Sequence, residues 1–136
     1  MREIKLIVVH CTATKESRVM TIDEVRQWHK ARGWRDVGYH YLIYLNGQVV
    51  KGRQEQEIGT HAQGYNRQSI GVCYVGGLDS QGKPKDTRTD AQKASLVGLL
   101  KELRKRYPDA KIVGHHDLNK SKACPCFNAK EEYKEL

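Results

Sequence analysis

His10 ends an apolar run near the start of the chain, His115-His116 ends another near its finish, and Cys124 follows within Lys122-Ala123-Cys124-Pro125. Imidazole nitrogens and a thiolate are zinc donors, and two histidines with one cysteine make a set of three. Three protein ligands leave a fourth position for water, as in catalytic rather than closed structural zinc sites. No short motif such as HExxH ties these residues together, so spacing alone leaves two readings open. One is a metal site; the other is a set of satisfied core histidines beside a small buried thiol. Neighbours on a strand point to opposite faces, so at most one of His10 and Cys11, and likewise one of His115 and His116, is expected to face a shared site.

The elements that must position these residues follow from patterning. Ile4 to Val9 is β-branched and almost continuously apolar, which predicts a central strand buried on both faces and ending at His10. Thr21 with Glu24 forms a capping pattern ahead of Val25, Trp28 and Ala31, predicting a helix to about Arg32 that Gly33 stops. Asn46-Gly47 between Tyr39–Leu45 and Gln48–Lys51 predicts a hairpin with a type I′ turn. Ser69 to Val75 is the next strand, and residues 76–88 form a polar connection in which mobility is expected. Thr89 with Gln92 opens a long helix whose apolar stripe is Leu96, Leu99, Leu100, Leu103 and Tyr107, ended by Pro108. Lys111 to Val113 predicts a short last strand, and Asn128 with Glu131 a short last helix. The expected fold class is α/β: one domain over residues 1–136, with a central mixed β-sheet of about five strands flanked by three helices. His10 and His115 then open onto one edge of that sheet, where ligand sites gather.

Composition narrows the function classes. The chain has 136 residues, with 24 Lys plus Arg against 16 Asp plus Glu, a formal charge of +8. That length suits a single core without disulfide staples. No apolar run approaches the ~20 residues that span a bilayer, and the first apolar stretch is too short for a signal-peptide core. The expectation is a monomer, cytoplasmic as synthesised, with no membrane insertion. Four cysteines at irregular spacing (Cys11, Cys73, Cys124, Cys126) then point to reduced thiols or a metal rather than a disulfide framework. Basic charge favours an anionic partner without choosing one. Nucleic acid is not expected, because aromatics do not interleave with a basic strand face and no reader motif occurs.

Several blocks occur in order along nearly the whole chain: Val9-His10-Cys11-Thr12-Ala13-Thr14; Arg26-Gln27-Trp28-His29-Lys30 with Gly33-Trp34; Asp36-Val37-Gly38-Tyr39-His40-Tyr41; Gly59-Thr60-His61-Ala62 with Gly64-Tyr65-Asn66; Ser69-Ile70-Gly71-Val72-Cys73; and Gly114-His115-His116-Asp117 followed by Lys122-Ala123-Cys124-Pro125. With them the sequence resembles the zinc-dependent N-acetylmuramoyl-L-alanine amidases of the type 2 amidase and peptidoglycan-recognition superfamily, most closely the small phage lysozyme-amidases. The resemblance implies zinc held by His10, His115 and Cys124, a catalytic Tyr39 and a catalytic Lys122. The segment before Lys122 looks one residue longer than in the phage relatives, which makes Lys120 the alternative for the lysine.

The reaction implied is hydrolysis of the amide between N-acetylmuramic acid and L-alanine of the peptidoglycan stem, with activated water as nucleophile and Lys122 stabilising the oxyanion. His61, Asn66 and Trp34 are expected to line the groove for the stem peptide. Without a signal sequence, the enzyme would meet the wall after release or holin-dependent export. Two other readings accompany this one: a peptidoglycan-binding protein that cuts nothing, and a lysin that also restrains a phage RNA polymerase. The presence of Cys124, Tyr39 and Lys122 together favours the enzyme. Cys11, Cys73 and Cys126 receive no role.

Overall fold

A computed structural model describes residues 2–136. Its main sheet has five strands in the order β4-β3-β5-β1-β7, built from β1 (Leu6–Cys11), β3 (Tyr41–Ile43), β4 (Val49–Lys51), β5 (Ser69–Tyr74) and β7 (Lys111–Gly114). β1 lies between β5 and β7 and is parallel to both, while β4 alone runs antiparallel, on β3. The run Ile7-Val8-Val9 is fully buried, as a parallel strand covered on both faces requires.

Alternation divides the core into two layers. Ile7, Val9 and Cys11 of β1 join Ile70, Val72 and Tyr74 of β5 on one face, beneath the long helix α2 (Asp90–Arg106). Leu96, Leu100 and Leu103 of α2 are wholly buried there, with Leu99 and Tyr107 packed at the margin. At roughly 1.5–3 kcal/mol for each fully buried leucine, this stripe rather than intrinsic propensity holds the helix. Gln92 anchors its first turn: its Nε2 donates to the carbonyls of Ile43 and Val75, and its Oε1 caps Thr89. On the opposite face Val25, Val37, Leu42 and Cys73 form a smaller cluster under α1 (Ile22–Ala31). His10 belongs to that second face, so the expected split between His10 and Cys11 is observed.

Some local expectations change. In α1 the buried pair is Val25 and His29, whereas Trp28 is 39% exposed and Ala31 also faces solvent. The spacing i, i+4 turns His29 inward and leaves Trp28 on the rim, where Arg18 lies over its ring. The hairpin turn is not type I′, because only Gly47 of the Asn46-Gly47 pair has a positive φ. Gly47 N–H donates to Tyr44 O and Tyr44 N–H to Gln48 O, which closes a three-residue loop with glycine at the left-handed position.

Residues 76–88 contain a short pairing that their composition does not foretell. Within them β6 (Gly77–Leu78) pairs in parallel with β2 (Thr14–Lys15), a two-residue ladder too short to leave a pattern in sequence. At the end of this segment the Arg88 guanidinium is almost fully buried, bonded to Asp86, Glu132 and Tyr133 and stacked on Phe127. At His115-His116 one histidine faces the site, as expected, but a helical turn rather than strand alternation separates the two. β7 stops at Gly114, and His115–Leu118 is a helical turn, α3, started where Asp117 Oδ2 accepts the Gly114 N–H. With α4 (Ala129–Glu132), α3 brings the α-helices among the described residues to four, against the three expected. Among the described residues no helix is long and apolar enough to cross a membrane.

Candidate active site

The carboxyl ends of β1 and β7 open into a cleft of about 590 Å³. One ligand atom each from His10, His115 and Cys124 lies within 4.8 Å of the others. His10 arrives on the second-last residue of β1, His115 on the first residue of α3, and Cys124 on the loop that returns beneath them. His10 Nδ1 and Cys124 Sγ are 3.8 Å apart, against about 3.5 Å for the nitrogen–sulfur edge of a tetrahedron with zinc bond lengths of ~2.0 and ~2.3 Å. The donor set and its spacing therefore fit zinc.

Protonation states suit a metal as well. Burial, then the neighbouring imidazoles of His61 and His115, hold the His10 pKa well below its ordinary 6.5. Burial and the Lys122 ammonium lower that of His115. Both rings are neutral at pH 7 and offer lone pairs. The backbone N–H of Cys11 donates to Cys124 Sγ at 3.1 Å, which fixes the direction of that sulfur. The other three thiols have raised pKa values. Cys11 is pushed up to about 12, first by its side-chain hydrogen bond with Cys124; Cys126 is raised by its contact with Cys11; and Cys73 is raised by burial. They stay protonated, outside the ligand set.

Around this centre the cleft is lined by Tyr39, Trp34, His29, His61, Asn66 and Lys122, among others. The Tyr39 ring lies 5.2 Å from that of His10 and 5.3 Å from that of His29, centroid to centroid. Burial, ahead of the nearby thiols, raises its pKa well above 10, so the phenol is protonated and acts as a hydrogen-bond donor. Lys122 is exposed on the loop before Cys124 and faces this cleft, whereas Lys120 lines a separate cavity with His116 and Asp117. His116 points away, with its Nδ1 2.6 Å from the Lys122 carbonyl oxygen.

The three residues expected to line a peptide groove differ in geometry. Trp34 is a half-buried wall, its ring tilted against that of His29 with centroids 4.6 Å apart and Arg32 over its face. Asn66 turns its carboxamide oxygen into its own loop, accepting the backbone N–H groups of His61 and Ala62 at 3.0 and 2.9 Å. His61 lies beneath His10, 9% exposed, with its Nδ1 2.8 Å from His10 Nε2. His29 was absent from the expected set. Its Nδ1 accepts the Gly38 N–H at 2.8 Å, which fixes the other nitrogen as N–H on the cleft wall. The i, i+4 relation to Val25 was the available signal.

A family model described as N-acetylmuramoyl-L-alanine amidase matches residues 1–127. The chain belongs to that family. Membership assigns the activity, hydrolysis of the N-acetylmuramoyl-L-alanine amide. This amidase is 50% identical over 124 residues to an endolysin of Escherichia phage T7, covering 91% of this chain and 82% of that one. It is 47% identical over 127 residues to an endolysin of Enterobacteria phage K11, covering 93% and 83%. Among solved structures, the N-acetylmuramoyl-L-alanine amidase LysC from Clostridium intestinale URNW superposes with a TM-score of 0.82 at 29% identity, over 97% of the amidase and 83% of LysC.

Proposed function

We propose that residues 1–136 form a single zinc-dependent phage or prophage endolysin domain that cuts peptidoglycan between N-acetylmuramic acid and the L-alanine of the stem peptide. The observation that carries the zinc reading is the convergence of His10, His115 and Cys124 from three separate elements, all within 4.8 Å. Zinc at that position supplies Lewis-acid polarisation of a carbonyl and activation of water near neutral pH.

The chain's own groups divide the remaining tasks. His10 and His115 present neutral nitrogens, and Cys124 presents sulfur steadied by the Cys11 amide. Tyr39, held protonated by burial, donates a hydrogen bond that orients the attacking water or the scissile carbonyl. Lys122 reaches the carbonyl oxygen as negative charge develops on it. Water oxygen bonds to the lactyl carbonyl carbon, the carbon–nitrogen bond breaks, and L-alanine leaves as a free amine with the proton. Trp34 and the His29 N–H form the wall against which the stem peptide lies. The +8 charge is compatible with a polymer whose stems carry carboxylates.

The test is digestion of purified sacculi by zinc-loaded and chelated protein, with variants at the three ligands. The reading predicts stem peptides bearing a new amino-terminal L-alanine, lost on chelation and in Cys124→Ala. Undiminished release after rigorous chelation would overturn the zinc mechanism.

A further inference from the structure

His10 has two ring nitrogens, and the structure gives each a different neighbour. Nδ1 faces Cys124 Sγ at 3.8 Å, on the side of the ligand cluster. Nε2 faces inward, 2.8 Å from His61 Nδ1. The second nitrogen of His61, Nε2, lies 3.1 Å from the hydroxyl of Ser69, which is wholly buried at the start of β5. Three polar groups thus form a line from the cluster into the core.

The direction of that line follows from proton counting. An imidazole that ligates through Nδ1 must have no proton there, so its proton is on Nε2. His10 then donates to His61 Nδ1, His61 carries its own proton on Nε2, and that N–H donates to Ser69 Oγ. The opposite arrangement would place a proton on His10 Nδ1 and close it to a metal.

His61 is also built into its place. Asn66 Oδ1 holds the backbone N–H groups of His61 and Ala62, which fixes the loop. Its ring lies flat against β5 at Gly71, where an added Cβ would come within 2.7 Å of His61 Cγ. Any side chain at position 71 would push the ring out of line with His10.

We infer that His61 is a positioning residue for the metal centre, setting the tautomer and ring orientation of His10 through the His10 Nε2–His61 Nδ1 hydrogen bond, with Ser69 setting the tautomer of His61. The inference rests on the zinc reading above. Groups that orient a metal-ligating histidine through its second nitrogen are worth 10–100-fold in metal affinity. Here the usual carboxylate or carbonyl is replaced by a second neutral imidazole, whose acceptor state depends on a serine.

The test is zinc affinity by chelator competition on the full chain, without reference to turnover, for wild type, His61→Leu, His61→Asn and Ser69→Ala. Asparagine places its Oδ1 close to the position of histidine Nδ1 and keeps the acceptor, whereas leucine fills the space without one. We expect His61→Leu to weaken zinc by roughly 10–100-fold, His61→Asn to return it to within about threefold of wild type, and Ser69→Ala to weaken it in the same direction as His61→Leu but by less. A folded His61→Leu that binds zinc within about twofold of wild type overturns the inference, as does a His61→Asn no better than His61→Leu. If His61→Leu fails to fold, Ser69→Ala decides: an unchanged affinity overturns the relay. A wild-type chain that takes up no zinc, or whose uptake is indifferent to Cys124→Ala, overturns the metal reading itself, a different result from a tight site indifferent to His61.

Discussion

The hydroxyl of Tyr74, at the last position of β5, donates to the carbonyl of Pro125 at 2.6 Å, both residues being buried. The loop carrying Cys124 is thereby tied to the central sheet that also carries His10. Removing the donor leaves a buried carbonyl without its partner, which costs about 1–3 kcal/mol. Tyr74→Phe should therefore lower unfolding free energy by that amount and weaken zinc at the same time. Denaturant titration and chelator competition check both; a variant with unchanged zinc affinity would show that the loop holds its place without the bond.

The four cysteines should separate sharply. Cys124→Ala removes the only sulfur in the cluster and should abolish stoichiometric zinc and turnover together. Cys73→Ala, wholly buried in the layer beneath α1, should cost stability and leave both largely intact. Elemental analysis of purified variants, paired with digestion of sacculi, makes the comparison. Equal behaviour of the two would place the ligand elsewhere.

Tyr39→Phe and Lys122→Met should act on rate and spare the metal. Loss of one donor to the developing oxyanion typically costs about 10²–10³ in turnover, and loss of a group handling the water's proton about 10²–10⁴. Zinc content and melting temperature should stay at wild-type values. A Lys120→Met variant, altered in the neighbouring cavity, should keep its activity. Interchanged effects of the two lysines would reverse their assignment.

Acid should destabilise the metal-free chain across a defined window. Burial, then Arg32 and Arg53, lowers the His29 pKa from 6.5 to about 4, and burial lowers His40 to about 4 as well. The unfolded chain therefore binds protons near pH 6.5 that the folded chain does not take up until about pH 4. Stability from these groups is complete above pH 6.5, falls as pH drops through the window, and levels off below it, at up to roughly 1.4 kcal/mol per pH unit for each group. Urea unfolding between pH 7.5 and 4 measures the slope. A stability that is flat or rises toward pH 5 would contradict the burial of these neutral imidazoles.

Much of this was legible where the signal was local. The apolar run of β1, the two capping boxes at Thr21 and Thr89, and the leucine stripe of α2 each lie within a single element, and each formed as its pattern implied. The β2–β6 ladder was not legible, because two residues per strand carry no period. The helical turn at His115 was hidden for a related reason, since its start depends on Asp117 capping Gly114 rather than on an apolar repeat. In the site, His10, His115 and Cys124 were candidates by type and by resemblance, Tyr39 and Lys122 by resemblance alone. The geometry of His61 and Asn66 was not. His61 sits under His10 because Gly71 on another element leaves room for its ring, and Asn66 faces its own backbone. Neither relation has a trace in local spacing.

The central claim is that this chain breaks one bond, and end-group analysis of digested peptidoglycan reads that bond directly. Sacculi treated with the zinc-loaded protein should yield free amino groups on L-alanine, with no new reducing sugar ends. New reducing ends without L-alanine amines, or L-alanine amines that persist after complete chelation, would contradict it.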